Sequence, residues 1–230
     1  MDSLEKLRAD VIASRKCGRL VEWRERVARE KRASFSGEEY WGRPVPGFGD
    51  PNARLVIVGL APAAHGGNRT GRIFTGDRSG DWLFRALFRA GFANQPTSEH
   101  REDGLRLTDA YVTAVVHCAP PGNRPTTEER DNCLPYLQRE LALLTDWRVI
   151  VALGGFAYGS VAQLLGLRRR PRFAHGVEAS LHGGPASPAG ARTLIGCYHP
   201  SQQNTFTGKL TEAMLDSIFR RAKDLLAHDR

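Results

Sequence analysis

The sequence predicts an α/β protein, a three-layer α/β/α sandwich with a central four-stranded parallel sheet. Four short, nearly continuous apolar runs, at 54–60, 110–116, 148–154 and 192–198, have the pattern of strands buried on both faces. Segments with helical spacing of apolar residues alternate with these runs, as they do where helices cover a parallel sheet. Because the length suits one substantial core and no internal repeat is found, a single domain over 1–230 is expected.

The N-terminal half begins with helical spacing and then turns irregular. The first thirty-odd residues favour a helix, whereas 34–51 is rich in turn-forming residues and predicts a long loop. The helical segment SGDWLFRALFRAGF (79–92) has Ser79 as a possible cap. Later in the chain, 168–192 is predicted to be a long, mobile loop.

Three further helices are predicted from their caps and their apolar spacing. Thr126 and Glu129 form a capping box at the start of one, although Pro135 must kink or interrupt it. A second follows the third strand, and a third, beginning after residue 208, carries apolar residues at helical spacing.

The charge of the chain indicates a class of partner. A formal net charge of +8 and a pI near 9.7 favour polyanions such as nucleic acid, although an arginine-rich protein without such a partner has the same balance. No stretch approaches the roughly 18–20 apolar residues of a membrane span, and the N-terminus lacks the apolar core of a secretory signal. A cytoplasmic protein without a membrane segment is expected.

The first polar loop, GLAPAAHGGNRTGRIFTGD (59–77), follows the first predicted strand. Its glycines let the backbone approach a ligand closely, but it lacks the lysine and hydroxyl of a P-loop and the tight turn of a dinucleotide fingerprint. Phe74 and Asp77 suit a planar heterocycle, with stacking from the ring and chemistry at the carboxylate. Alternatively, Phe74 belongs to the core and Asp77 caps the following helix.

The second polar loop, YHPSQQNTFTG (198–208), follows the last predicted strand. His199 lies at the carboxyl end of that strand, where parallel sheets bind ligands, and Pro200 stiffens its position. A lone histidine there can equally be structural. Hydrogen-bonding side chains follow it, and then Phe206, which is expected to be exposed and suits a wedge pushed into a base stack.

These two loops, together with CAPPGNRPT (118–126), resemble the motifs of the family 5 uracil-DNA glycosylases. The resemblance extends from WRERVAREKR (23–32) to the final helix and so covers nearly the whole chain. It implies an enzyme that flips uracil and other deaminated or modified bases out of damaged double-stranded DNA. Hydrolysis of the N-glycosidic bond would then start base excision repair. We expect the protein to act as a monomer.

The resemblance also implies roles for particular residues. Asp77 matches the position proposed to stabilise the sugar cation and orient water, and His199 matches the histidine that contacts the leaving base. Asn123 matches a second polar residue of catalysis or base contact. Ala63 stands where several other uracil-DNA glycosylase families place a catalytic Asp or Asn, a departure that is typical of family 5. Phe74 would stack on the base.

Two sets of residues complete the expected site. The base-binding set lies in the two loops and comprises Gly59, Ala61, Ala63, Phe74 and Asn204. The DNA-binding set lies in the second loop and just beyond it and comprises Gln202, Gln203, Phe206 and Lys209. The arginines of 168–172 are expected to contact phosphate, or else to form a solvated face.

Four cysteines raise the question of a metal. Disulfides are disfavoured in the cytosol, and without a C-x2-C pair the spacing only weakly indicates a metal site. The resemblance implies a [4Fe–4S] cluster, for which Cys17, Cys118 and Cys133 match three ligands, while Ser14 stands at the fourth position. Ligation by serine, ligation by water, a three-iron or lost cluster, and three cysteines without metal all stay open. Cys197 is expected in the core.

Two other functions compete with the glycosylase. One is a lesion-binding protein without turnover, which in a related group captures uracil-DNA covalently through a histidine in a KRRIH-like loop. The segment LRRRPRFAH (167–175) has a similar composition but follows the third strand rather than lying in the first loop. The other is an iron–sulfur redox protein, which leaves both polar loops unexplained.

Overall fold

The computed structural model describes residues 2–167, 169–181 and 192–227. Its strands are β1 Phe48–Gly49, β2 Leu55–Gly59, β3 Ala110–Ala114, β4 Val149–Leu153, β5 Glu178–Leu181 and β6 Arg192–Cys197. They form one sheet in the order β1-β3-β2-β4-β6-β5. The four central strands β3, β2, β4 and β6 are parallel, while β1 and β5 pair antiparallel at the two edges.

The four predicted strands are confirmed, and two edge strands were missed. Every residue of β2, β3 and β4 is buried, which explains their continuous apolar runs. By contrast, β1 has two residues within a turn-rich segment, and β5 is only partly buried and carries polar residues. Short, polar edge strands have little apolar pattern to detect.

Helices cover both faces of the sheet, so the three-layer prediction is confirmed. They are α1 Leu4–Ile12, α2 Gly18–Glu30, α3 Gly67–Thr70, α4 Arg78–Ala90, α5 Thr127–Leu143, α6 Gly155–Leu164, α7 Gln202–Phe206 and α8 Glu212–Ala227. One core cluster joins the sheet to α4 and α8, and another joins its opposite face to α5 and α6. The α1 helix packs outside α5.

Several helix predictions need correction. The N-terminal segment is two helices rather than one, because the chain breaks after Ile12 and α2 starts at Gly18. The cap of α4 is Asp77 and not Ser79. The capping box of Thr126 and Glu129 is confirmed, but α5 runs through Pro135 without interruption.

The predicted loop at 168–192 is only partly described. Within it, residues 178–181 form β5, so that part is not loop. Arg168 and 182–191 lie outside the described residues, as does the predicted mobility of that stretch. None of the helices in the described ranges is both long enough and apolar enough to span a bilayer.

Candidate active site

The two polar loops meet at the carboxyl edge of the parallel strands. The first leaves β2 at Gly59, and the second leaves β6 at Cys197. Backbone hydrogen bonds from Val115 to Gly59 (3.0 Å) and from Gly154 to Cys197 (2.7 Å) tie the ends of neighbouring strands together. After β2 the chain forms β3 on one side of it and later β4 on the other. Such a change of direction in the strand order opens a crevice at the carboxyl ends of the strands.

Phe74 and His199 join the two loops inside this crevice. Their ring centroids lie 5.8 Å apart with an angle of 33° between the planes. The Phe74 ring packs against Gly59, where an added Cβ would lie 2.7 Å from it. Phe74 is 5% exposed and belongs to the core cluster, so it is both core and crevice wall. Its positive φ of 53° belongs to a tight turn between α3 and α4.

Asp77 begins α4 and faces back into the first loop. Its Oδ1 accepts a hydrogen bond from the backbone N–H of Gly80 at 3.0 Å, so the predicted alternative of a helix cap is confirmed. Gly66 makes room for the carboxylate, because a Cβ there would overlap Oδ2. Burial raises the pKa of Asp77, while hydrogen bonds from the N–H groups of Gly80 and Ser79 partly offset that rise.

Two buried arginines hold the first loop, and the sequence analysis missed both. Arg72 donates to Thr75 Oγ1 (2.9 Å), Ser98 Oγ (2.9 Å) and Asp103 Oδ2 (2.6 Å). Arg69 donates to the carbonyl oxygen of Gly76 at 2.9 Å and pairs with a glutamate. Charge-assisted bonds of this kind fix backbone that has no regular structure. The sequence feature that could have revealed them is the presence of two arginines inside a glycine-rich loop.

His199 is partly buried at the start of the second loop. Burial lowers the pKa of its imidazole to about 4, so the ring is neutral at physiological pH. Asn204 donates from Nδ2 to the carbonyl oxygen of His199 at 2.9 Å, and Ser201 caps α7 by accepting from the Asn204 N–H. The Asn204 side chain therefore holds the histidine segment in place.

His175 is hydrogen-bonded to the residue before His199 and was not predicted as a site residue. Its Nδ1 accepts from the backbone N–H of Tyr198 at 3.2 Å, which leaves Nε2 to donate to the carbonyl oxygen of Met214 (3.2 Å). Both ring nitrogens are thus engaged in structure. This histidine lies in the segment that was compared with a covalent-capture loop, and its bonds give it a positioning role.

The predicted DNA-binding residues lie on the surface beside the crevice. Gln202 and Gln203 are exposed on α7, and Phe206 is 67% exposed, as the sequence predicted. The Arg78 guanidinium lies over the Phe206 ring at 4.4 Å from its centroid, which bridges the two loops at the surface. Lys209 lies over the Tyr198 ring at 5.0 Å.

Within the described ranges, three other predicted site residues make no hydrogen bond to the side chains of Asp77 or His199. Ala61 and Ala63 are partly buried just after β2, and the Ala63 carbonyl accepts from the backbone N–H of Asn68 at 3.0 Å. Asn123 is exposed in the loop after β3, with a positive φ of 56°. Among the described residues, no hydrogen bond joins its side chain to Asp77 or His199.

The cysteines lie apart from the crevice. Cys17 precedes α2, Cys118 follows β3 and Cys133 lies in α5, and all three belong to or pack against one core cluster. Burial is the main cause that raises the pKa of Cys133 to about 12; a hydrogen bond with the His117 backbone opposes the rise, and the neighbouring Cys118 and Cys17 thiols add to it. Cys197 is fully buried, as expected. No group of three or more His, Cys, Asp or Glu in the described ranges is arranged to hold a metal ion.

The fold and the crevice define an α/β/α protein with a neutral imidazole, an aromatic ring and a capped carboxylate at one sheet edge. Its family follows from comparison with known proteins. The model of the uracil DNA glycosylase superfamily matches residues 46–223. The chain belongs to this superfamily and, within it, to the type-5 uracil-DNA glycosylases.

Curated relatives span nearly the full chain. It is similar to the type-5 uracil-DNA glycosylase of Mycobacterium leprae, with 57% identity over 97% of this chain and 96% of the relative. A type-5 uracil-DNA glycosylase of Thermus thermophilus is 50% identical over 94% of each chain. One of Pyrobaculum aerophilum is 47% identical over 90% of this chain and 86% of the relative.

Proposed function

We propose that this protein excises uracil from DNA by hydrolysing the N-glycosidic bond. The observation that carries the proposal is the contact of Phe74 and His199 across the two loops, with Asp77 three residues after Phe74. A planar base can stack on an aromatic wall, and the imidazole and carboxylate supply the polar groups. The names of the full-length relatives support the same activity.

The reaction separates charge, and the two polar residues match its two ends. As the bond to the base breaks, the sugar acquires oxocarbenium character and the base leaves as an anion. The Asp77 carboxylate stabilises the cation and accepts a proton from the attacking water, since its oxygens have lone pairs beyond the capping bond. The neutral His199 imidazole donates an N–H hydrogen bond to the leaving base.

The substrate is damaged double-stranded DNA, bound by one copy of the protein. Phe206 enters the space that the flipped nucleotide leaves, while Gln202, Gln203 and Lys209 contact the strand beside it. Asn123 approaches the base from the loop after β3. A site that reads a base mainly by stacking also accepts hypoxanthine and ethenocytosine, so we infer broad specificity. Because the substrate is DNA, we propose the cytoplasm as the place of action.

The test is excision from a duplex oligonucleotide with a single uracil, followed by alkaline cleavage at the abasic product. A denaturing gel without alkali separates three outcomes: free abasic product, a covalent protein–DNA adduct, or unchanged DNA. We expect abasic product. An adduct would indicate covalent capture, and unchanged DNA with every base in a panel of modified duplexes would reject the glycosylase.

We also propose an iron–sulfur cluster at Cys17, Cys118 and Cys133. Thiols are the ligands that such clusters use, although the described side chains as they stand are not arranged to hold a metal ion. What supports the proposal is that the buried Arg24 guanidinium donates to Cys118 Sγ at 3.0 Å, since hydrogen bonds to the sulfurs are a feature of cluster sites. Ser14 stands at the fourth position, and its carbonyl oxygen accepts from Arg24 at 3.4 Å. A cluster there would tie α2, α5 and the loop after β3 together. It would serve structure rather than electron transfer.

Anaerobic purification with iron and sulfide analysis tests the cluster. We expect a brown protein whose iron content rises to four per chain in Ser14→Cys. A colourless, iron-free protein with full excision activity would reject the cluster. The matched control is Cys197→Ser, because that thiol lies in the core behind the crevice and its replacement should not change the iron content.

A further inference from the structure

A second concave surface lies outside the crevice, between the first two helices and the segment that leads to β1. It has a volume of about 700 Å³. The end of α1 forms one wall, α2 forms the floor, and the segment from Trp41 to Arg43 forms the other wall. We call it the α1–α2 groove. None of the residues assigned above to base or DNA binding lines it.

The α1–α2 groove carries a surplus of positive charge. Its described lining contains Arg15, Arg24 and Arg43, against one carboxylate, Glu25. Glu25 accepts from Arg15 at 2.5 Å and lies 3.8 Å from Arg24, so it is shared by two arginines. Arg43 is exposed and lies over the Trp41 ring at 5.6 Å from its centroid. Such an excess of guanidinium groups attracts phosphate.

Arg24 adds a buried positive charge beneath the groove. It is 2% exposed and lines the groove, yet its Nε is buried without a hydrogen-bond acceptor among the described residues. Leaving a donor of a buried cation without an acceptor is costly. The Nη1 of Arg24 already donates to Cys118 Sγ at 3.0 Å and to the Ser14 carbonyl oxygen at 3.4 Å. An anion in the groove would therefore balance the charge of Arg24 without replacing these bonds.

The groove is joined to the first loop by hydrogen bonds. The backbone N–H of Trp41 donates to the Arg69 carbonyl at 2.9 Å, and that of Gly42 donates to the Asn68 carbonyl at 3.0 Å. The Asn68 side chain also donates to the carbonyl oxygen of Arg24 at 3.2 Å. Since Arg69 holds the end of the loop that carries Asp77, the groove and the crevice have a fixed relative position.

We propose that the α1–α2 groove binds phosphates of the DNA backbone away from the damaged nucleotide. The inference rests on the proposed function, since it assumes that DNA occupies the crevice. The exposed Arg15 and Arg43 face the phosphate oxygens, and the charge of the buried Arg24 beneath them adds to the attraction. Contacts of this kind position a protein on DNA without reading its sequence. The groove therefore lengthens the binding footprint and raises affinity for any duplex long enough to reach it.

The test measures the dependence of Kd on salt for undamaged duplexes of one and of three helical turns. Arg43→Glu is the informative variant, because its exposed side chain can be replaced without disturbing the core. The matched control is Arg220→Glu, an exposed arginine on α8 in the opposite layer. Losing one phosphate contact should reduce the slope of log Kd against log salt by about 1 for the long duplex.

The outcomes decide between sources of phosphate. The proposal predicts a reduced slope in Arg43→Glu with the long duplex, and no difference between that variant and the control with the short one. Equal slopes for both variants with both duplexes would overturn it. If inorganic phosphate binds in the groove while the slopes stay equal, the groove is a site for small anions. That result would also overturn the proposal. Excision by the wild-type protein is assayed separately, so failure of the proposed function would appear there alone.

Discussion

The Phe74 ring and the His199 imidazole lie 5.8 Å apart, and each comes from a different polar loop. One loop ends in Asp77, whose pKa is raised by burial, and the other holds an imidazole whose pKa is lowered to about 4 by burial. Burial thus favours the neutral form of both groups. For catalysis, the neutral form is the useful one for the imidazole and the idle one for the carboxylate.

The first prediction concerns the pH profile of excision. Asp77 works as a carboxylate, so the rate should rise as pH increases through its raised pKa and then level off. The pKa of His199 is about 4, so the imidazole should add no transition near the usual pKa of histidine, about 6.5. Single-turnover rates between pH 4.5 and 8.5 measure the profile. A transition that survives in Asp77→Asn would assign it to another group.

Asp77→Asn separates the chemical role of this residue from its structural role. Asparagine caps helices about as well as aspartate, so the melting temperature should stay close to that of the wild-type protein. The excision rate should fall roughly 100-fold or more, because the amide cannot stabilise the sugar cation. Asp77→Ala should lose the same activity and, in addition, about 1 kcal/mol of stability with the cap. Equal stability of the two variants would contradict the capping role.

Gly66→Ala should inactivate the protein indirectly. The new Cβ would overlap Asp77 Oδ2 and push the carboxylate out of place, and a small displacement of a catalytic group costs roughly 100-fold in rate. Gly159→Ala is the matched control, because an added Cβ there meets nothing within 4 Å and alanine favours helix α6. Single-turnover kinetics and thermal unfolding of both variants test this. Full activity in Gly66→Ala would show that Asp77 tolerates displacement.

The sheet was predictable because its central strands are buried on both faces and so read as apolar runs. The edge strands were not, since β5 is half-buried and β1 has two residues. For the site, the sequence could place His199 and Asp77 at strand and helix ends. It could not reveal that Arg72 bonds Ser98 and Asp103 from a different segment, because such bonds depend on tertiary contacts. The same holds for His175 beneath Tyr198.

The raised pKa of Glu140 leads to a prediction of how the free energy of unfolding depends on pH. The residue lies in α5, buried against β3, and burial raises its pKa to about 7, although hydrogen bonds from Thr113 and Tyr111 oppose the rise. The folded state therefore holds the proton more tightly than the unfolded state. The stability that results is present below the pKa of the unfolded state and declines as pH rises to about 7.

Glu140→Gln should remove this decline. The free energy of unfolding of the wild-type protein should lose up to roughly 1.4 kcal/mol per pH unit from this group between its unfolded and folded pKa values. Urea unfolding of both proteins at pH 5 and pH 8 isolates the contribution, because other groups cancel in the difference. We expect the variant to gain stability relative to wild type as pH rises. A difference that stays constant with pH would show that Glu140 titrates normally.

Phe206→Ala should weaken excision from duplex DNA while leaving the fold intact. The ring is 67% exposed and its contact is the Arg78 guanidinium, so its removal opens no cavity. Loss of a stacking contact worth about 1–3 kcal/mol should reduce kcat/KM by roughly 5- to 150-fold when the base must be pulled out of a stack. Single-stranded uracil-DNA requires no such wedge, and excision from it should change little. The matched control is Phe88→Ala, because Phe88 is also exposed but lies on α4. This variant should behave as wild type on both substrates. Equal losses on duplex and single strand would instead assign Phe206 to general strand binding, because a wedge acts only where there is a stack to open.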